Sequence, residues 1–209
     1  MTTLQQIAYF QQRRDEVPNQ ELARDLAEQR DHAGIREIAD NLANDNSQIQ
    51  SDCLKVLYEI GYREPALIAA YAPTFVDLLG SRNNRLVWGS MIALSTIAQI
   101  APDMLFAHVT VIQQAIERGS VITVDNGIKT LARIAAANAA YNQVIFPYLL
   151  RHLDTCRPKD IPQHAESIVV AVNTGNQRAF IAALVQRLAG MPASRAARLR
   201  TVIRVAEQR

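Results

Sequence analysis

An apolar pattern that recurs every 37 residues is the feature that most constrains the fold of this 209-residue chain. Its clearest copy runs from Pro65 to Pro102, PALIAAYAPTFVDLLGSRNNRLVWGSMIALSTIAQIAP, with two apolar-periodic segments separated by a polar turn at residues 81–84. Each segment places apolar residues three, four and seven positions apart, which is the spacing of one face of an α-helix. The stretch is therefore predicted to be a helix–turn–helix unit.

Columns of apolar or small residues agree when the sequence is shifted by this period. In the first helices the columns are Ile35, Ala72, Val109 and Phe146, then Ile38, Phe75, Ile112 and Leu149, then Leu42, Leu79, Ile116 and Leu153. In the second helices they are Ile49, Leu86 and Thr123, then Leu57, Leu94, Leu131 and Ile168, then Ile60, Ile97, Ile134 and Ala171. A single helix pair cannot bury such a stripe, so neighbouring copies are expected to stack on one another.

The period divides the chain into repeats. We expect an N-terminal helical cap over residues 1–30, followed by one continuous domain of five helix pairs, at about 31–64, 65–101, 102–138, 139–175 and 176–209. The fifth pair fits if the shift shortens by two residues, which places Ile181, Leu184, Val185 and Leu188 on the apolar face. Gly61 is predicted to end the helix before Pro65, because glycine accepts the left-handed conformation of a helix end.

Composition supports an all-α globular protein. Hydrophobic residues make up 49% of the chain and charged residues 20%, which is enough apolar material for a buried core. Aromatic residues are scarce, and the dominant Ala, Leu, Ile, Arg and Gln favour helix over sheet. The N-terminal sequence lacks the pattern of a secretory signal, and no apolar run is long enough to span a bilayer, so a cytoplasmic location without membrane contact is expected.

Several of these features resemble a known family. A proline lies within the first helix at Pro73 (APTFVDLL) and again at Pro147 (FPYLLRHL), and the second helix SMIALSTIA is rich in small residues. Together with the period, these features are similar to HEAT repeats of the armadillo-like α-solenoid class, over residues 31–207. The resemblance implies a right-handed α-solenoid of about five HEAT-like helix pairs, in which the second helices line a concave surface that binds partners.

A helical-wheel argument indicates which side chains would face that surface. With the apolar columns turned toward the core, the opposite side of the second helices carries Tyr58, Tyr62, Arg85, Trp88 and Lys129. Large aromatic residues beside arginine have the composition of a binding hot spot, so these five residues are predicted to contact a protein partner. Trp88 has an alternative placement, as a wedge buried between stacked repeats.

Catalytic and metal-binding motifs are not found in the sequence. There is no glycine-rich phosphate loop, no GxSxG and no HExxH, and the two cysteines, Cys53 and Cys156, lie about a hundred residues apart without a CxxC. The four histidines, His32, His108, His152 and His164, fall at different helical phases and are predicted to be surface or helix-end residues. We therefore predict no catalytic residue, no metal site and no cofactor, and a chain that is not an enzyme.

A non-catalytic scaffold that binds a protein partner is the favoured function, and two alternatives remain. The charge is asymmetric, because residues 1–104 carry nine basic and fourteen acidic side chains, whereas residues 105–209 carry thirteen and six. The first alternative is therefore binding of nucleic acid through the basic residues of the second half, namely Lys129, Arg133, Arg195, Arg198 and Arg204. The second is a HEAT-like subunit associated with an enzyme, such as the chromophore lyases, which needs a ligand pocket. The oligomeric state stays open.

Overall fold

The computed structural model describes residues 2–209, which form α-helices, short 3-10 turns and loops without any strand. Residue contacts divide the chain into two compact units, Met1–Gly127 and Ile128–Arg209, and the division falls inside one helix. None of the helices formed by the described residues is long and apolar enough to cross a lipid bilayer.

The first unit contains most of the helices. They are α1 (Val17–Gln29), α2 (His32–Asp40), α3 (Ser47–Arg63), α4 (Ala72–Leu78), α5 (Asn84–Ile97), α6 (Pro102–Ala107), α7 (Val109–Arg118) and the first part of α8 (Val121–Ala137). Helix α3 is central to this unit, since α1, α2 and α5 all pack against it. The start of α5 is fixed by Asn83, whose side chain accepts the backbone N–H of Arg85 as an N-cap.

The second unit contains the rest of α8 together with α9 (Ala139–Thr155), α10 (Ile161–Ile168), α11 (Gln177–Arg187) and α12 (Ala193–Ala206). Asn138 caps α9 through a hydrogen bond from the backbone N–H of Tyr141. Helix α9 packs against α10 and α11, and α12 packs against α10 and α11. The rings of Phe146 and Phe180, 6.2 Å apart, join α9 to α11 in the core of this unit.

The apolar columns of the repeat form the core of each unit. Every column residue is buried except Val109, which is half-buried at the first position of α7. The burial confirms that the 37-residue pattern describes packing, and Cys53 is fully buried as a small core residue. The interval 102–138 contains three helices, α6, α7 and α8, and the first segment of the interval 65–101 begins with 3-10 turns at Pro65–Leu67 and Ala69–Tyr71.

Two local predictions are wrong. Gly61 does not end a helix, because α3 continues to Arg63. A Cβ at this position would lie only 2.3 Å from Thr96 Oγ1 and 2.7 Å from Ile68 Cδ1, so glycine is needed for close packing of neighbouring segments.

The register predicted for the fifth pair is also wrong in part. Val185 is exposed and Ile181 is half-buried, whereas Phe180 is fully buried beside Leu184. The large ring of Phe180 takes the core position because it reaches Phe146, and this contact turns α11 by about one residue from the expected register.

Candidate functional site

Three aromatic residues from α3 and α5 form a cluster in the first unit. The ring of Tyr58 lies 6.4 Å from the ring of Trp88 and 6.1 Å from that of Tyr62. Tyr58 is buried, Trp88 is half-buried, and Tyr62 is 54% exposed. Arg85 is exposed and precedes Trp88 by one helical turn. We refer to Tyr58, Tyr62, Arg85 and Trp88 as the aromatic–basic face.

The two placements considered for Trp88 are both partly right. Its ring approaches Tyr58 of the preceding repeat, yet part of it stays accessible. The prediction that Tyr58 faces solvent is wrong, because its neighbours cover it and burial raises the pKa of its hydroxyl. Tyr58 therefore supports the rings beside it, and Tyr62 and Trp88 carry the accessible aromatic surface.

A charged network borders the aromatic–basic face. Lys55 is buried, and its Nζ lies 2.7 Å from Glu59, 2.9 Å from Glu16 and 4.8 Å from the centre of the Tyr58 ring. Burial alone lowers the pKa of Lys55, but the bonds to Glu59 and Glu16 outweigh it and the pKa is raised. Arg85 lies 3.5 Å from the same Glu16. One carboxylate thus sits between two cations at the edge of the aromatic cluster.

Glu16 belongs to an N-terminal segment that covers part of α3. The backbone N–H of Tyr9 donates to Asp52 Oδ2 at 2.9 Å, and the N–H of Ala8 donates to the buried Asn19 Oδ1 at 2.9 Å. Burial raises the pKa of Asp52. A helical wheel contains only the residues of one helix, so it gives no information about a segment that binds from outside the repeats. Nothing in the sequence of residues 2–16 signals where the segment binds.

The remaining predicted site residues lie in the second unit. Lys129 and Arg133 are half-buried on α8, and burial, followed by the charge of Arg133, lowers the pKa of Lys129. Arg198 forms a two-bond ion pair with Glu166, with N–O distances of 2.8 and 2.6 Å.

Two further arginines of that predicted set lie on α12. Arg195 is half-buried, and Arg204 is exposed and donates to Thr201. Because Arg198 is already neutralised by Glu166, the structure adds no specific support for a phosphate-binding surface.

A buried amide network also lies in the second unit. Asn142 Nδ2 donates to the carbonyl oxygens of Ala135 and Ala171, at 3.2 and 2.7 Å, while its Oδ1 accepts from Asn176 at 2.8 Å. Both amides line an open cleft of about 710 Å³ whose other walls include Phe146 and Pro147. The hydrogen bonds of Asn142 satisfy backbone carbonyls at the ends of helical segments, so the residue is primarily structural.

Two histidines and a cysteine of the second unit converge, which the sequence reasoning missed. His152 Nε2 and His164 Nδ1 are 2.9 Å apart, and ligand atoms of His152, Cys156 and His164 all lie within 4.8 Å of one another. His164 is 1% exposed, so it is not a surface residue, although it does lie near a helix end as the alternative prediction allowed. The available signal was local: His152 and Cys156 are four residues apart at the end of α9, and His164 lies in the first turn of α10.

Comparison with known proteins shows the fold. No protein-family profile and no curated protein sequence matches this chain. Among solved structures, an engineered protein is similar over 100% of this chain and 98% of its own length, with a TM-score of 0.70 and 17% identity. A designed armadillo repeat protein is similar over 98% of both chains, with a TM-score of 0.65 and 15% identity.

A second engineered protein is similar over 98% of this chain and 58% of its own length, with a TM-score of 0.68 and 16% identity. At these identities the likeness concerns the fold alone. The chain therefore has an all-α fold of the armadillo-like helical-repeat, α-solenoid class.

Proposed function

We propose that this chain is a non-catalytic, HEAT-like repeat scaffold that binds an acidic segment of a protein partner at its aromatic–basic face. One observation carries the proposal: the carboxylate of Glu16 is held between Lys55 and Arg85, at the edge of the Tyr58–Trp88 cluster. An acidic side chain at the start of α1 is thus already accommodated there within the chain itself. A partner that carries a carboxylate next to an apolar side chain would use the same cations and the same rings.

The composition of the face supports this assignment. Tryptophan, tyrosine and arginine are the residues that most often dominate binding energy at protein interfaces. The rings of Tyr62 and Trp88 offer accessible apolar area, and Arg85 offers a planar donor that suits carboxylates. Lys129 belongs to the second unit, and its part in partner binding stays a prediction.

The experiment that tests the proposal is affinity capture from the native cell with a double variant, Arg85→Ala and Trp88→Ala. Because the loss of a single anchor residue costs at least about 2 kcal/mol, or about 30-fold in affinity, the double variant should weaken binding of a captured partner by at least that factor. The matched control is Arg63→Ala with Ile100→Ala, which removes one exposed arginine and one exposed apolar residue of the same unit. Capture should be unchanged in this control.

Three results would contradict the proposal. The first is unchanged capture by a double variant whose circular dichroism and Tm match the wild type. The second is equal loss in the control. The third is capture that nuclease treatment abolishes, together with steeply salt-dependent binding to DNA, which would instead support the nucleic-acid alternative.

The charge complementarity has a separate test in Glu16→Gln. This variant removes the internal carboxylate that competes for Lys55 and Arg85, so partner affinity should rise by up to about fivefold, in line with the worth of an exposed ion pair. Unchanged affinity would mean that the acidic side chain of the partner does not bind between these cations.

A further inference from the structure

We propose that His152, Cys156 and His164 form a binding site for one Zn²⁺ ion. The site lies wholly in the second unit, and it does not depend on the protein-binding proposal. We refer to these three residues as the imidazole–thiol cluster.

The positions of the ligands come from two helices and the loop between them. His152 lies in the last turn of α9, Cys156 follows the end of that helix, and His164 lies in the first turn of α10. A short connection therefore brings the three side chains to one place. The bend of the chain is held by Arg187 of α11, which donates to the carbonyl oxygen of Asp154 and, at 2.7 Å, to that of Cys156.

The distances suit a tetrahedral ion after a small adjustment. With Zn–N bonds of about 2.0–2.1 Å and a Zn–S bond of about 2.3 Å, tetrahedral geometry needs an N–N separation of about 3.3 Å and an S–N separation of about 3.6 Å. The two imidazole nitrogens are now 2.9 Å apart, and the ligand atoms all lie within 4.8 Å. Side-chain rotations that move these atoms by about 0.5–1 Å would complete the site, with water at the fourth position.

The donor set selects the type of ion. Two imidazoles and one thiolate favour zinc and its neighbours among the transition metals, whereas Mg²⁺ and Ca²⁺ prefer oxygen ligands. His164 is nine-tenths buried or more, so one side of the site is closed, while the half-buried Cys156 and His152 leave a path for an ion to enter.

The surroundings contain charges of both signs. Burial raises the pKa of Cys156 to about 11, and the charge of Arg187 acts in the opposite direction, in favour of the thiolate. Asp160 lies near the thiol and is paired with Arg157 at 2.6 Å. Binding of zinc would release the thiol proton to solvent, and the thiolate would balance part of the charge of the ion.

Cobalt provides the direct test. The untagged full-length chain, freed of metal with a chelator that is then removed, is titrated with Co²⁺. The expected result is one ion bound per chain, with a thiolate-to-cobalt charge-transfer band in the near ultraviolet and the visible bands of tetrahedral cobalt. Added Zn²⁺ should displace the cobalt and abolish both signals.

Matched variants identify the ligands. Cys156→Ser should lose the charge-transfer band, while Cys53→Ala, which removes the other thiol of the chain, should keep it. His152→Gln should weaken cobalt binding by at least about tenfold, because a ligand contributes no less than the groups that orient ligands. His108→Gln serves as the control for removal of a histidine, and its affinity should match the wild type.

A stability readout complements the spectra. At a Zn²⁺ concentration about 100 times the dissociation constant, the Tm of the wild type should rise by about 5–10 °C. Cys156→Ser should show a much smaller rise. If Cys156→Ser does not fold, the same Zn²⁺ titration is carried out with His152→Gln and His108→Gln. The rise in Tm should then be much smaller for His152→Gln than for His108→Gln.

The proposal is overturned by any of three outcomes. These are the absence of cobalt absorption in the wild type, a charge-transfer band that persists in Cys156→Ser, and wild-type affinity in His152→Gln. In each case the cluster is a hydrogen-bonded histidine pair beside a thiol, and its role is structural.

Discussion

The two units hold their buried polar side chains by different means. In the first unit the buried charged side chains bind partners that are distant in sequence, as Lys55 binds Glu16 and Asp52 accepts the backbone N–H of Tyr9. In the second unit the buried polar side chains bind amide and imidazole groups, as in the bonds of Asn142 to Asn176 and of His164 to His152. Charged contacts depend on pH and salt, whereas amide contacts do not.

This difference matches the uses that we propose for the two units. The first unit binds its own Glu16 through Lys55 and Arg85, and the same cations are suited to an acidic partner. The second unit gathers nitrogen and sulfur donors, which suit a transition-metal ion. Three perturbations test whether the two units differ in this way.

The largest effect is expected from removing one large side chain from the core of either unit. Phe75 in the first unit and Phe180 in the second are both fully buried. Substitution of either residue by alanine should cost about 3–5 kcal/mol in the free energy of unfolding, through lost burial and a residual cavity. Hydrogen exchange measured by mass spectrometry should show faster exchange chiefly in residues 2–127 for Phe75→Ala and in residues 128–209 for Phe180→Ala.

The two variants control for each other, since each replaces a buried phenylalanine by alanine, one in each unit. Equal acceleration of exchange throughout the chain in both variants would show that the molecule unfolds as one cooperative body. The division into two units would then describe contacts only.

A smaller effect is expected when the amide network of the second unit is broken. Asn142→Ala removes the amide that donates to the carbonyl oxygens of Ala135 and Ala171 and accepts from Asn176, while the Ala171 oxygen keeps a 3.2 Å bond from Asn176 Nδ2. The free energy of unfolding should fall by about 1–3 kcal/mol. The adjacent and exposed Gln143→Ala is the control and should lie within about 0.5 kcal/mol of the wild type. Urea denaturation followed by circular dichroism measures both, and equal stability of the two variants would contradict a structural role for Asn142.

The repeat pattern predicted the core well because it depends on one periodic property. Residues such as Ile38, Phe75, Ile112 and Leu149 are all fully buried, as their common column indicates. Stacking imposes the same environment on each copy, so the period alone identifies the buried face. The departures occur where a particular side chain overrides the period, as Phe180 does by packing on Phe146.

The candidate site was less predictable because its environment is not periodic. Tyr62 and Arg85 are exposed as expected, but Tyr58 is buried. Its neighbour Lys55 is paired with Glu16 of a non-repeating segment, whose contacts, such as Tyr9 with Asp52, bridge 43 residues. A helical wheel contains no information about such contacts.

The imidazole–thiol cluster was missed for a different reason. His152 and Cys156 have the spacing that places two side chains on one helix face, but the third member lies beyond a turn in the chain. The direction of that turn depends on the packing of α10 on α9, which a single sequence does not specify residue by residue. Pairs of histidine and cysteine four residues apart at helix ends are therefore worth testing for a third ligand in the next helix.

The smallest effect concerns the charge buried in the first unit, and it is a change with pH. Asp52 is 5% exposed and accepts the N–H of Tyr9, and burial raises the pKa of its carboxyl above its usual range. The folded state therefore binds the proton more tightly than the unfolded state does. The resulting stabilisation is fully present below about pH 4 and is lost as the pH rises through the folded pKa. Asp52→Asn keeps an acceptor oxygen without the charge.

The wild type should therefore lose stability relative to Asp52→Asn as the pH rises from about 4 to 7. Urea denaturation followed by the fluorescence of Trp88, the only tryptophan of the chain, reports on the first unit directly. The stability difference between the wild type and Asn142→Ala, which exchanges no titratable group, should stay constant over the same range. The stability difference between the wild type and Asp52→Asn could instead be independent of pH. This result would mean that the Asp52 carboxyl is hydrated in the folded state and that the N-terminal segment covers α3 only loosely.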